Sequence, residues 1–169
     1  MNTNKLTLIE SIDKYGNSEM YKDKLEESFV PVVGGRPSYG DGYYLIEEDG
    51  EILDAYWGDN STDNRLYEIG NCFPTKEAAQ FAIEKQKLIT TMRNYAGRDG
   101  WKPDWEKDKN GEYKEAWYLY YDCDRRRIAP IYDTYINTGN IYFKSAADAQ
   151  YIIDNYKDEL LKYYFEVEG

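Results

Sequence analysis

Histidine is absent from this chain of 169 residues. That removes the side chain best suited to acid–base work near neutral pH. It also removes Ser-His-Asp and Cys-His nucleophiles and imidazole metal ligands. Cysteine is nearly absent as well: Cys72 and Cys123 are the only two. Two thiols without a secretion leader read as reduced and structural. No apolar run approaches the roughly 20 residues of a membrane span, and no signal-peptide core stands at the N-terminus. A soluble protein of the cytoplasm, with no membrane partner, is expected. Positive charge is scarce too. Lys and Arg number 21 against 32 Asp and Glu, for a net charge of −11.

What is present is aromatic and acidic. Apolar residues make up 41% of the chain, so a packed core is within reach. Nineteen of the residues are tyrosine. Tyrosine buries a large ring while its hydroxyl stays wet or bonded, which suits thin sheets and contact surfaces. The acids are unevenly placed. Residues 41–70 hold nine of them (Asp41, Glu47, Glu48, Asp49, Glu51, Asp54, Asp59, Asp63, Glu68) against one base, Arg65. That segment therefore carries −8 of the −11. Such a patch repels nucleic acid and attracts surfaces built to hold it.

Two stretches repeat. Gly70-Asn71-Cys72-Phe73-Pro74-Thr75 leads into Ala79-Gln80-Phe81, and Gly139-Asn140-Ile141-Tyr142-Phe143-Lys144-Ser145 leads into Ala149-Gln150-Tyr151. From the Phe onward the offset is a constant 70, while the Gly-Asn pair needs one extra residue in the second copy. Each copy follows an aromatic strand pair, which suggests a duplicated supersecondary unit.

In the first copy, Asp49-Gly50 between two β-type runs signals a two-residue hairpin loop. That loop would place Tyr44, Ile46, Leu53, Ala55 and Trp57 on a core face. Tyr43, Leu45, Glu47, Ile52, Asp54 and Tyr56 would take the other face, with Glu48 opposite Glu51. A polar loop over 58–64 and a short strand near Arg65–Ile69 are expected next. Thr75 then caps a helix that Gly97 ends. The second copy gives strands over Glu115–Cys123 and Ile128–Ile136, with Pro130 marking an edge. Ser145 caps the last helix, and Asn155 is a point where it can kink. The expected fold is α+β: a duplicated β-hairpin, short strand and helix unit forming two small lobes, plus a helical N-terminal arm. The divisions are arm and linker 1–40, first lobe 41–97, linker 98–114 and second lobe 115–169.

Familiar chemistry is missing from the motifs. Asp59-Asn60-Ser61-Thr62-Asp63 sets oxygens at positions 1, 3 and 5 of a calcium loop. Asn64 then stands where Gly is required and Gly70 where Glu is required, so an Asx-rich turn is the better reading. Asp122 and Asp124 share a strand face, but the following arginines can neutralise them. Gly34-Gly35 lacks the Lys-Ser/Thr of a phosphate loop. No metal, cofactor or catalytic residue is expected. Direct nucleic-acid binding would need a basic face. The one dense cluster, Arg125-Arg126-Arg127, reads as a solubilising turn or as a phosphate contact.

The acidic hairpin remains. Glu47, Glu48, Asp49, Glu51, Asp54 and Asp59, with Tyr43 and Tyr56 as stacking surface, imitate the charge of a nucleic-acid strand. A merely solubilising acidic surface is the competing reading.

The run Trp57, Asp63-Asn64-Arg65, Gly70-Asn71, Phe73, Thr75, Glu77, then Tyr118 to Asp122 and Tyr142-Phe143-Lys144-Ser145, resembles a family of small proteins of phages and prophages of Gram-positive bacteria. The likeness covers about residues 40–165, and its motifs are turns and caps. It implies a setting in which small accessory proteins disable host defences, acidic ones by occupying a nucleic-acid groove as several anti-CRISPR proteins do. The expectation is a non-enzymatic inhibitor in the host cytoplasm. Its acidic surface would block a basic protein such as a CRISPR effector nuclease. The alternative is a nucleotide-signal binder that uses a Tyr/Trp pocket between the lobes, with Arg125–Arg127 on phosphate.

Overall fold

The computed structural model describes residues 35–167. The N-terminal arm expected over 1–40 lies almost wholly outside them. Two compact units divide between Ala79 and Gln80.

The first unit opens on a hairpin of β1 (Gly42–Ile46) and β2 (Ile52–Tyr56). Its register differs from expectation. Leu45 pairs with Leu53 and Ile46 with Ile52, so Glu47, not Glu48, lies opposite Glu51. The loop holds three residues, closed by Glu47 N–H to the Glu51 carbonyl at 2.9 Å and Gly50 N–H to the Glu47 carbonyl at 3.0 Å. Gly50 has φ +89°, and Asp49 does not share a positive φ. A two-residue type I′ turn needs positive φ at both positions. The Asp49 carboxylate instead accepts from Glu51 N–H at 2.9 Å, an Asx turn that favours the longer loop.

A shift of one residue moves every side chain of one strand to the opposite face. Tyr43 and Leu45 therefore share a face with Leu53, Ala55 and Trp57. Tyr44 and Ile46 join Ile52, Asp54 and Tyr56. This is why Tyr43, expected outside, is buried at 2% exposure beside Trp57, also at 2%. Their rings meet edge-on at 6.1 Å.

The segment expected as a polar loop and short strand is a helix, α1 (Ser61–Glu68). Asn60 caps it, accepting from Thr62 N–H at 2.8 Å and Asp63 N–H at 3.1 Å. Asp63 reaches back to complete a capping box. The Asx-rich turn was legible; its service as a helix start was not. Gly70-Asn71 then turns the chain, and Phe73 bridges Tyr44 of β1. The Asn71 amide also clasps β1, donating to the Ile46 carbonyl and accepting from its N–H, both at 2.8 Å.

Helix α2 (Lys76–Ala96) starts where Thr75 accepts from Ala78 N–H at 3.1 Å. The unit boundary falls inside it, so the helix expected to close a first lobe at residue 97 gives most of its length to the second unit. That unit adds a hairpin of β3 (Ala116–Asp122) and β4 (Arg127–Asp133), then α3 (Ala146–Glu159). Phe143 bridges Trp117 as Phe73 bridges Tyr44. Ser145 accepts from Asp148 N–H at 3.2 Å. Each copy thus builds a hairpin, a bridging Phe and a hydroxyl-capped helix. No helix fills the place of α1 in the second copy.

The second core gathers Leu88, Met92, Leu119, Ile128, Phe143, Ala149, Ile152, Ile153 and Leu160. The break in α3 falls at Tyr156 (φ −136°, ψ 30°), next to Asn155, whose amide donates back to the Tyr151 carbonyl at 2.8 Å. A short π-helix, Leu160–Tyr164, follows. The stretch 98–114 is turn-rich as expected. Gly111 closes a loop on Asp108 with the bond pattern seen at Gly50. Trp105 packs edge-on against Tyr142 at 5.0 Å. Cys72 and Cys123 are both free thiols. Among the described residues no helix is long and apolar enough to cross a membrane.

Candidate functional site: the acidic hairpin end

The hairpin brings Glu47, Glu48, Asp49 and Glu51 to one end of the first unit, all exposed. Glu47, Asp49 and Glu51 each offer a carboxylate oxygen within 4.8 Å of the others. They are the one group among the described residues close enough to share a cation. All three face water, so a cation there would compete against full hydration.

Among the described residues, none of the ion pairs involves Glu47, Glu48, Asp49, Glu51 or Asp54. Among the described residues, the hairpin thus concentrates carboxylates that no ion pair neutralises. A cross-strand pair of like charges destabilises a hairpin by up to about 1 kcal/mol. Glu47 opposite Glu51 carries that cost.

The other expected contact residues divide. Asp54 is exposed, but the register sets it across from Tyr44 on the face opposite Glu47 and Glu51. A continuous row of carboxylates along one strand is therefore not formed; the charge gathers about the turn. Tyr56 shares the face of Asp54 and is 37% exposed. Burial, the neighbouring Asp54 charge and Tyr44 raise its pKa. Tyr43 leaves the contact surface altogether. Its hydroxyl donates to Asp63 at 3.0 Å inside the core. Burial and that acceptor raise its pKa strongly. Asp59 is taken by Arg36, whose guanidinium lies 3.1 Å from it. Arg36 also bonds Asn64 and sits 5.4 Å over Trp57. A lone arginine in a Gly- and Pro-rich linker gave no sign in the sequence of that role.

The arginine turn is less available than its sequence suggests. Arg125 pairs with Asp122 at 2.9 Å. The backbone N–H of Arg125 and then its guanidinium hold the Asp122 carboxyl below the ordinary carboxylate range. Arg126 occupies the left-handed region at φ 48°. Arg127 stands opposite Asp122 in the ladder.

Comparison with protein-family models, with curated proteins and with solved structures finds no match to this chain.

Proposed function

We propose that the protein is a non-enzymatic inhibitor of the phage accessory kind, acting in the cytoplasm of a bacterial host. Its acidic hairpin end docks in the basic nucleic-acid groove of a defence protein, such as a CRISPR effector nuclease. The single observation that carries this reading is the hairpin end itself. Four exposed carboxylates crowd one turn, two of them directly opposed, with no ion pair among the described residues. A surface needed only for solubility gains nothing from such crowding, since dispersed charges solubilise as well. A groove lined with Lys and Arg gains from it, because docking releases the groove's repulsion and speeds encounter. The resemblance to small phage proteins supports the setting.

The test is nuclease cleavage in the presence of the chain. The variant Glu47→Lys/Glu48→Lys/Glu51→Lys is expected to fold and to lose inhibition. Asp54→Lys, on the opposite face, is expected to keep most of it. A triple variant that folds and inhibits like the parent overturns the proposal. The alternative, a nucleotide signal held by Arg125–Arg127, draws no support from a turn whose first arginine already serves Asp122.

A further inference from the structure

The two copies use their Gly-Asn pair differently. Asn71 stands two residues before Phe73 and lays its amide along β1, both polar atoms bonded to Ile46. Asn140 stands three residues before Phe143, because Ile141 is the extra residue of the second copy. The added residue takes Asn140 out of the corresponding clasp. Its Nδ2 is buried and is the one buried side-chain polar atom without a hydrogen-bond partner among the described residues. Buried donors are seldom left so. The Tyr142 hydroxyl is close enough for Asn140 to lower its pKa, against the larger upward push of burial. That hydroxyl is already held by Asn137 N–H at 3.0 Å and by Asp133 at 3.2 Å, and Nδ2 does not meet it in hydrogen-bond geometry.

Asn140 lines an open recess of about 310 Å³ in the second unit, with Arg93, Trp101, Thr138, Ile141 and Tyr142. That volume is at the small end for ligand sites, which run from about 300 Å³ upward. None of the lining residues is acidic. Arg93 makes no ion pair among the described residues. Trp101, half-buried, supplies an indole face and an N–H. The carboxyl end of α2 also borders the recess and carries about half a negative charge. Its last carbonyls are blunted: Arg93 O accepts from Gly97 N–H at 3.0 Å and Tyr95 O from the Arg98 guanidinium at 2.7 Å. The full charge of Arg93 therefore outweighs it.

We propose that this recess binds a small aromatic oxyanion, a ring carrying phosphate or carboxylate, of which a nucleoside monophosphate is the type. The ring lies against Trp101 and Arg93 pairs with the anionic oxygens; the buried Asn140 amide stands in the wall behind them and reports binding without touching the ligand. This site is separate from the hairpin end, so its fate does not depend on the docking reading.

The experiment is a titration of the full chain with AMP, adenosine, benzoate and inorganic phosphate, followed by 1H–15N NMR. AMP is expected to shift the Asn140 side-chain amide and the Trp101 indole N–H with a Kd below about 1 mM. Arg93→Gln is expected to weaken it by about tenfold or more, the value of a charge-assisted contact. Trp101→Phe keeps a ring and should keep most of the affinity; Trp101→Ala should not. Arg93 is exposed, so its variant tests binding without endangering the fold. Benzoate binding as well as AMP supports the class with carboxylate as the anion. Phosphate binding as well as AMP, with adenosine silent, overturns it, because the ring then contributes nothing. No saturable shift with any of the four also overturns it.

Discussion

Asp63 ties the first unit together through one carboxylate. It accepts from the Tyr43 hydroxyl at 3.0 Å, from Gly58 N–H at 2.7 Å and from the Asn60 side-chain amide at 2.8 Å, at 5% exposure. Removing it leaves the buried Tyr43 hydroxyl without its acceptor and also breaks the capping box of α1. Asp63→Ala is expected to cost about 3 kcal/mol in urea unfolding, whereas Asp49→Ala at the exposed turn should stay within about 1 kcal/mol. Cys72 lies in the same neighbourhood. Burial first, and then the Asp63 charge, pushes its thiol from the ordinary 9.0 up to about 11. The fold therefore keeps this thiol neutral. Its contribution to stability is full below pH 9 and is lost as pH climbs toward 11. Alkaline unfolding should steepen in that window, with Tyr43 acting in the same direction. At pH 8 Cys72 is therefore held as the unreactive thiol. Iodoacetamide followed by mass spectrometry should label the exposed Cys123 well before Cys72. None of this was visible from spacing. Tyr43 and Asp63 are twenty residues apart, and a Tyr beside an acidic strand looks like surface.

The hairpin shows how much of an element a sequence can state and where it stops. Both strands and the turn at Asp49-Gly50 were legible from alternation and turn chemistry. The loop length was not, because Asp-Gly serves two-residue and three-residue loops alike. The choice rests on a local contest, won by the Asp49 carboxylate capturing Glu51 N–H. That one residue of slip exchanged the faces of β1, buried Tyr43 and moved Asp54 away from Glu47. Gly50 has nothing within 4 Å of an added Cβ, so Gly50→Ala costs only its backbone conformation at φ +89°. The expected loss is about 1 kcal/mol. Replacing one of the opposed acids acts the other way. Glu51→Lys turns a repulsive cross-strand pair into an attractive one and should stabilise the first unit by about 0.5 kcal/mol. The same change should weaken partner binding. A hairpin that becomes more stable while its binding fails would separate docking from folding. The start of α1 follows the same logic. Asn60 and Asp63 are turn residues, and the turn they make is the first turn of a helix.

Across the whole chain, the internal repeat was the most legible feature. Phe73 and Phe143 bridge the first strand of their hairpins, and Thr75 and Ser145 cap the helices that follow. These pairs sit at the constant offset of 70 because both copies solve the same packing problem. Where the offset breaks, at Gly-Asn, the copies diverge in what their asparagine does. The unit boundary inside α2 was not legible, since an amphipathic stripe does not say which neighbour each turn of a long helix faces. Charge distribution was legible as a count and only partly as a surface. Asp63 is buried and Asp59 is paired, which leaves the turn acids as the exposed concentration. An interface of that kind should be salt-sensitive. Affinity for a basic groove should fall steeply as ionic strength rises past the physiological range, where the Debye length is about 8 Å.

The most direct test is competition. A labelled duplex bound to a CRISPR effector nuclease is followed by fluorescence anisotropy while the chain is titrated in. The account predicts that the parent displaces the duplex and that Glu47→Lys/Glu48→Lys/Glu51→Lys, folded to the same extent, does not. A ternary complex that keeps duplex and chain bound together, or a triple variant that displaces the duplex as well as the parent, would contradict it.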